Sequence, residues 1–172
     1  MTTSPGPDRN HSAAPGGSGS VDDGISAGVG SRREARERAL ALLYEAETKG
    51  LAPAELAARL PVPLQGYAAD LVLGVDAGGG AIDPMIRQFA LNWDLDRMPA
   101  LDRAVVRIAG YELAHRPDVP TSVVLNEAVE LAQRYSTNDS GRFVNGLLSR
   151  MAVELRGGDA PEDPPLDHPG SE

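Results

Sequence analysis

The chain has 172 residues, a net charge of −9 and no cysteine, which suits a single domain and excludes disulfides, thiolate metal sites and a cysteine nucleophile. No uninterrupted run of about eighteen apolar residues suits a membrane span, and the first 30 residues lack the apolar segment of a secretory signal. We therefore expect a cytoplasmic protein that does not enter a membrane.

The negative charge is concentrated at the two ends of the chain. Residues 1–30 carry −2 and residues 157–172 carry −5, which leaves −2 for residues 31–156. Half of the residues in each end segment are Gly, Pro or Ser, and such segments bury too little apolar surface to offset the entropy lost on ordering. We predict a disordered Gly/Pro/Ser-rich tail over 1–30, a folded domain over 31–156 and a disordered acidic tail over 157–172.

The folded part shows helical periodicity, without the polar/apolar alternation of half-buried strands. The predicted fold class is therefore all-α. The first helix is predicted to begin at Ser31, which would form a capping box with Glu34, and to end near Lys49. A short second helix is predicted from Pro53, a favourable first-turn residue, to about Leu60.

The next apolar stripe begins at Leu64 and reaches the three consecutive glycines at 78–80. No strand precedes these glycines and no Lys-Ser/Thr pair follows, so a phosphate-binding P-loop is not indicated. We predict a plain interhelical turn there. A further helix is then predicted to start with Asp83 as its cap and Pro84 in its first turn, and to end near Trp93.

Three amphipathic helices are predicted in the last third of the chain. Their apolar stripes are Leu101, Ala104, Val105, Ile108 and Tyr111; Val124, Ala128, Leu131 and Tyr135; and Phe143, Leu147, Leu148, Met151 and Leu155. Gly146 falls inside the last helix, where we predict that a neighbouring helix approaches closely. About seven short helices with tight connections should form a compact bundle or a pair of bundles.

Catalysis is not indicated. The three histidines, His11, His115 and His168, have no second metal ligand at helical spacing. Nucleophile-elbow and dinucleotide-binding motifs are absent, and the carboxylates are scattered over polar helix faces. We expect a protein that is not an enzyme and has no metal site or cofactor.

Arginines are clustered at the start of the first helix. At about 100° per residue, Arg32, Arg33 and Arg36 fall on one face. Guanidinium groups match phosphate oxygens in bidentate geometry, so the cluster predicts anion binding. The alternative is a solvated helix face whose arginines are partly neutralised by neighbouring glutamates. Three guanidinium–phosphate contacts alone would bind RNA only weakly. We therefore expect a second protein that binds the same RNA.

Four segments resemble the NusB family of transcription antitermination factors. Residues 32–44 (RREARERALALLY) resemble its opening helix, and residues 101–113 (LDRAVVRIAGYEL) resemble its fifth helix. Residues 118–132, which include DVP and LNEAVELA, and residues 139–146 (DSGRFVNG) resemble its C-terminal signature. The resemblance runs in order through residues 31–156.

The resemblance implies two small helical subdomains and RNA binding. Family members pair with the small-subunit ribosomal protein that doubles as NusE, and the pair binds the single-stranded boxA element of nascent ribosomal RNA within the RNA polymerase antitermination complex. Asp102 matches an acidic position on the NusE-facing surface. The positions that match RNA-side segments of the family are Arg32, Arg33, Arg36, Tyr44, Asp139, Ser140, Arg142, Phe143 and Asn145.

Some of these roles have alternatives. Phe143 also belongs to an apolar stripe and is expected to be mainly a core residue. Asp139 could serve only as a helix cap and Asn145 as a helix-surface amide. At the level of the whole chain, the alternative function is a helical protein-interaction module, including a homodimer that covers the arginine cluster.

Overall fold

The computed structural model describes residues 22–90 and 95–157. Within them the chain forms six α-helices and a short 3-10 helix, with no strand, which confirms the predicted all-α class. The elements in chain order are α1 (Asp22–Lys49), α2 (Pro53–Ala58), α3 (Gly66–Phe89), the 3-10 helix (Leu95–Arg97), α4 (Ala100–His115), α5 (Thr121–Tyr135) and α6 (Ser140–Arg156). No helix in these ranges combines the length and apolar content needed to cross a membrane.

The helices form two groups that share one core. The first three helices pack against one another, and the last three do the same. α4 joins the groups because it also packs against α1 and α3. Its buried side chains, among them Val105, Val106 and Ile108, lie in one apolar cluster with residues of every other α-helix. The two-part helical bundle implied by the resemblance is therefore present.

The first helix starts earlier than predicted. α1 begins at Asp22 and passes through Ser31, which is exposed. Because the preceding turns continue the intrahelical hydrogen-bond ladder, the backbone amides after Ser31 need no side-chain cap. The predicted capping box is therefore wrong, and residues 22–30 belong to a helix. The rest of the predicted tails, residues 1–21 and 158–172, lies outside the described residues.

The predicted turn at the glycine triplet is also wrong. α3 continues through residues 78–80 and through Pro84, so the two helices predicted on either side are one. The buried residues Val75 and Ile82 keep helical spacing on both sides of the glycines, and this stripe packs against α4. Packing of a continuous apolar face offsets the cost of glycine, about 1 kcal/mol per residue. Trp93, the predicted end, lies outside the described residues.

The close helix approach predicted at Gly146 lies elsewhere. A Cβ added to Gly146 would have Arg150 Nη1 as its nearest neighbour, at 3.8 Å, so there is room for a methyl group. A Cβ added to Gly74 in α3 would instead lie 2.2 Å from Cζ of Tyr111. It is therefore Gly74 that allows α3 and α4 to pack closely.

This difference predicts opposite effects of two alanine substitutions. Gly146→Ala should raise the free energy of unfolding by about 0.5–1 kcal/mol, because alanine favours the helix and meets no obstacle. Gly74→Ala should lower it by about 1–3 kcal/mol through overpacking against Tyr111. Urea unfolding of both variants measures the effects. An unchanged or reduced stability of Gly146→Ala would contradict the free space seen around Gly146.

Candidate nucleic-acid interface

Arg36 is buried rather than presented to solvent. Its side chain is 3% exposed and its guanidinium donates from Nε to both carboxylate oxygens of Glu112, at 3.0 and 3.1 Å, and from Nη2 at 2.8 Å. Glu112 is 1% exposed. Burial lowers the pKa of Arg36, but the hydrogen bonds and charge of Glu112 outweigh burial and leave that pKa raised. In this structure Arg36 therefore does not present its guanidinium to a phosphate, contrary to the prediction from the sequence; its charge is used inside the fold.

The buried ion pair extends to two further residues. The Tyr67 hydroxyl donates a hydrogen bond to Glu112, and Nη1 of Arg36 lies 3.7 Å from Glu127 Oε2. Burial and the neighbouring Glu112 raise the pKa of Tyr67, so the phenol stays protonated and remains a donor. These contacts connect α1, α3, α4 and α5.

Arg33 occupies the boundary between this network and solvent. Its side chain is 41% exposed. Nε donates to the two oxygens of Glu127 at 3.3 and 3.2 Å, and Nη2 lies 2.6 Å from Glu127 and 2.8 Å from Glu130. The hydrogen bonds to Glu127 raise the pKa of Arg33. Arg33 is thus oriented by α5 while part of its guanidinium remains accessible.

Arg32 lies beside an arginine that sequence reasoning missed. Nη2 of Arg32 contacts Asp118 at 2.9 Å, and Arg116 donates to the same carboxylate at 3.0 and 3.1 Å. Arg116 also pairs with Asp70. Both guanidinium groups lie over the Tyr67 ring, 5.3 Å from its centroid for Arg32 and 4.7 Å for Arg116. Arg116 therefore belongs to the same surface as Arg32.

Arg134 extends this surface along α5. Nη1 of Arg134 donates to Glu37 of α1 at 2.7 Å, and the Arg134 side chain is 55% exposed. Arg33 and Arg134 line one shallow groove together with Glu37 and Glu130. We call the set of Arg32, Arg33, Arg116 and Arg134 the arginine face.

A second exposed patch lies at the start of α6. Asp139, Arg142 and Asn145 are exposed. Asp139 occupies the predicted N-cap position of α6, but its side chain makes no capping hydrogen bond. Phe143 is partly buried against the apolar core. Because helix residues three apart are neighbours, the three exposed polar side chains lie on one side of α6.

Ser140 and Asp102 face each other in the interior. Their exposed fractions are 2% and 3%, and Ser140 Oγ donates to Asp102 Oδ2 at 2.8 Å. Ser140 Oγ also accepts from the backbone N–H of Thr137 at 3.1 Å. In this structure neither side chain reaches the surface, so Ser140 is not presented to RNA and Asp102 is not presented to NusE, contrary to what the resemblance implied. Instead, the pair fixes the connection between α5 and α6 against the first turn of α4.

Tyr44 is separated from the arginine face. It is 42% exposed and lies eleven residues after Arg33 on α1. Eleven residues are about three turns, or about 16 Å along the axis. Tyr44 therefore lies on nearly the same side of α1 as Arg33, but a ligand would have to be extended to contact both.

A cleft of about 500 Å³ lies between α1, α3 and α4, and none of its lining residues belongs to the arginine face. Arg107 donates to the two oxygens of Asp83 at 2.8 Å each, and it also contacts Glu47 at 3.2 Å. Arg103 pairs with Glu47 as well, and its hydrogen bond lowers the pKa of Glu47. Arg103 and Arg107 therefore already have carboxylate partners inside this cleft.

Asp118 offers a pH test of the arginine face. The hydrogen bonds from Arg116 lower the pKa of Asp118 to about 2, below the value of about 3.9 in an unfolded chain. Its contribution to stability is therefore present above about pH 4 and lost as the pH falls through 2. A carboxyl NMR titration should give a midpoint near 2, and Arg116→Gln should raise it. A midpoint near 4 in the unmodified protein would contradict the contact.

The sequence contains a signal for the buried network. Glu112 follows Ile108 by four residues and so continues the apolar stripe of α4, and Arg36 precedes the buried Leu40 by four residues on α1. Charged residues on apolar stripes are expected to be paired with each other inside the fold. Arg116 and Arg134 gave no comparable sequence signal, because each lies at the end of a helix directly after a polar residue.

Comparison with known proteins agrees with this fold. The model of the NusB family matches residues 33–153. The transcription antitermination protein NusB of Salinispora tropica is 46% identical over 129 residues, covering 71% of this chain and 95% of the relative. That of Kineococcus radiotolerans is 44% identical over 128 residues, covering 72% and 94%.

Two solved structures are similar to this one. T. maritima NusB has a TM-score of 0.65 and 33% identity, covering 76% of this chain and 93% of that one. A chain in the crystal structure of a plectonemic RNA supercoil has a TM-score of 0.63 and 27% identity, covering 72% and 94%. The family match, the relatives and the helical architecture agree: this chain belongs to the NusB family.

Proposed function

We propose that this NusB-family chain binds the single-stranded boxA element of nascent ribosomal RNA together with the ribosomal protein NusE. The protein would act in the cytoplasm as an RNA-binding subunit of the RNA polymerase antitermination complex. The relatives named above are transcription antitermination proteins, which supports the role in transcription.

The observation that carries the RNA-binding proposal is the exposure of Arg32 and Arg33 on α1. Their side chains are 38% and 41% exposed, and carboxylates already orient them. Arginine binds phosphate through parallel N–H donors and does so with little further loss of side-chain entropy when the guanidinium is held in place. Arg32 and Arg33 can therefore contact successive phosphates of a transcript.

The exposed patch on α6 supplies chemistry that the arginine face lacks. Arg142 adds a further cation, and the Asn145 amide has both donors and acceptors for the edge of an unstacked base. Asp139 can accept from a base amino group. Arg134 lies near the end of α5 and Arg142 near the start of the next helix, α6, which favours one single strand running from the arginine face towards α6.

Binding by this chain alone should be weak. Each charge-assisted contact contributes about 1.5–3 kcal/mol, whereas association costs about 4–15 kcal/mol. Three arginine contacts, from Arg32, Arg33 and Arg142, therefore give little surplus. A partner that binds the same RNA converts part of the association into an intramolecular step, which is the role proposed for NusE.

Fluorescence anisotropy with labelled RNA tests this proposal. The protein should bind a boxA RNA more tightly than an RNA of the same length with its bases scrambled, and NusE should increase both the affinity and the difference. Equal affinities for the two RNAs in the presence of NusE would contradict boxA recognition. An unchanged affinity on adding NusE would contradict the shared binding.

Sedimentation separates this proposal from the homodimer alternative. A homodimer that covers Arg32 and Arg33 would dissociate as RNA is added, because the RNA and the second copy compete for the same guanidinium groups. A monomer that gains mass only from RNA and NusE supports the adaptor role. A dimer that remains intact and excludes RNA would contradict it.

A further inference from the structure

Every arginine of the arginine face already has an anionic partner. Asp118 lies between Arg32 and Arg116, Glu130 contacts Arg33, and Glu37 contacts Arg134. These three carboxylates are accessible: their side chains are 46%, 51% and 31% exposed. The free protein therefore presents alternating positive and negative groups rather than a bare basic patch.

The exposed ion pairs of the arginine face differ from the buried Arg36–Glu112 pair. Arg36 and Glu112 are nearly inaccessible and stay together because either charge alone would be strongly destabilised in the interior. Exposed ion pairs contribute little to stability, since water and salt screen them and both side chains lose entropy. A phosphate oxygen can therefore replace an exposed carboxylate at an arginine of the face, but not at Arg36.

We propose that Asp118, Glu130 and Glu37 hold the positions of transcript phosphates in the free protein, and that RNA binds by exchanging phosphate for carboxylate on the arginine face. The proposal rests on the function proposed above and assigns two additional RNA contacts, Arg116 and Arg134. In the free protein the carboxylates keep the guanidinium groups oriented. They also lower the affinity for RNA, because each carboxylate must be displaced and its negative charge then lies near a phosphate.

Neutral isosteres of the carboxylates provide the main test. Glu130→Gln and Asp118→Asn should each tighten binding of a single-stranded boxA RNA about two- to fivefold, the range that corresponds to losing one exposed ion pair. Glu55→Gln is the matched control. Glu55 of α2 forms a similarly exposed pair with Arg59, the residue after that helix, and the substitution changes the net charge equally. It should leave the RNA affinity unchanged.

A second matched set tests the newly assigned arginines. Arg134→Gln removes a cation that is 55% exposed and paired with Glu37, whereas Arg59→Gln removes one that is 60% exposed and paired with Glu55. Arg134→Gln should weaken RNA binding severalfold and Arg59→Gln should not. Thermal unfolding of all variants checks that each remains folded.

The outcomes separate this inference from the proposed function. If Arg33→Ala weakens RNA binding but Glu130→Gln binds no more tightly than Glu55→Gln, the exchange is wrong and RNA binding by the arginine face stands. If the unmodified protein with NusE does not bind RNA, or if Arg33→Ala has no effect, the proposed function itself is wrong. Tightening by Glu130→Gln and Asp118→Asn, with no change in Glu55→Gln, supports the exchange.

Discussion

Replacing Arg36 by methionine is expected to lower the free energy of unfolding by about 3–5 kcal/mol. The substitution keeps an unbranched side chain of similar length but leaves Glu112, which is 1% exposed, without its cation. Tyr67 would remain the hydrogen-bond donor to this carboxylate, which is insufficient for a buried charge. Urea unfolding monitored by circular dichroism measures the loss.

Two further variants control this prediction. Arg38→Met removes an arginine from the exposed side of the same helix and should change stability by less than about 0.5 kcal/mol. The double variant Arg36→Met with Glu112→Met removes both buried charges and should recover much of the loss. If Arg36→Met left stability unchanged yet abolished RNA binding, Arg36 would be an RNA contact and the structural role would be wrong.

The second large effect is expected on RNA affinity. Arg32→Ala with Arg33→Ala should weaken binding of a boxA RNA by about two orders of magnitude or more, since each lost charge-assisted contact is worth about 1.5–3 kcal/mol. Each phosphate contact to a single strand contributes about −0.7 to the slope of log K against log salt. The double variant should therefore flatten that slope by about 1.4.

The matched control removes the same charge from other places. Arg38→Ala with Arg59→Ala takes away two exposed arginines that lie outside the arginine face. This variant should retain the affinity and the salt slope of the unmodified protein apart from a small general loss of positive charge. Equal losses in the two double variants would show that net charge, rather than the arginine face, determines binding.

The helices in the last third of the chain were predictable because their apolar stripes are a stronger signal than the helix propensities of individual residues. Val105 and Ile108 in α4 lie at helical spacing, as do Leu147 and Met151 in α6, and all four are buried as expected. The course of α3 was not predictable from local signals, because three glycines and Pro84 all favour a break. The helix continues there because its two apolar halves lie against the same neighbour, α4, which only the tertiary structure reveals.

The site was predictable as a region and not residue by residue. Helical spacing placed Arg32, Arg33 and Arg36 on one face, but it could not show that the same face meets Glu112 and Glu127. The arc shared by three arginines is wide enough for one to point inward and two to reach solvent. Which one is buried depends on the carboxylates of α4 and α5, far away in sequence.

The family resemblance identifies matching positions in this chain but does not show whether their side chains are buried. Asp102 and Ser140 match positions assigned to surface contacts, yet each is the other's partner in the interior. In this structure they hold the connection between α5 and α6 that leads to Arg142. Arg116 and Arg134 were missed because their relation to Arg32 and Arg33 arises only when α4 and α5 are packed against α1.

The division between a buried Arg36 and exposed RNA-binding arginines is tested most directly by the NMR spectrum of the arginine guanidinium N–H groups during titration with a boxA RNA. The Nη signals of Arg32 and Arg33 should shift as phosphate replaces Asp118 and Glu130 at Nη2, while the signals of Arg36 keep their positions because Glu112 remains its partner. A shift of Arg36 as large as that of Arg33, or bound RNA that leaves Arg32 and Arg33 unshifted, would contradict the division between a buried structural arginine and exposed RNA-binding ones.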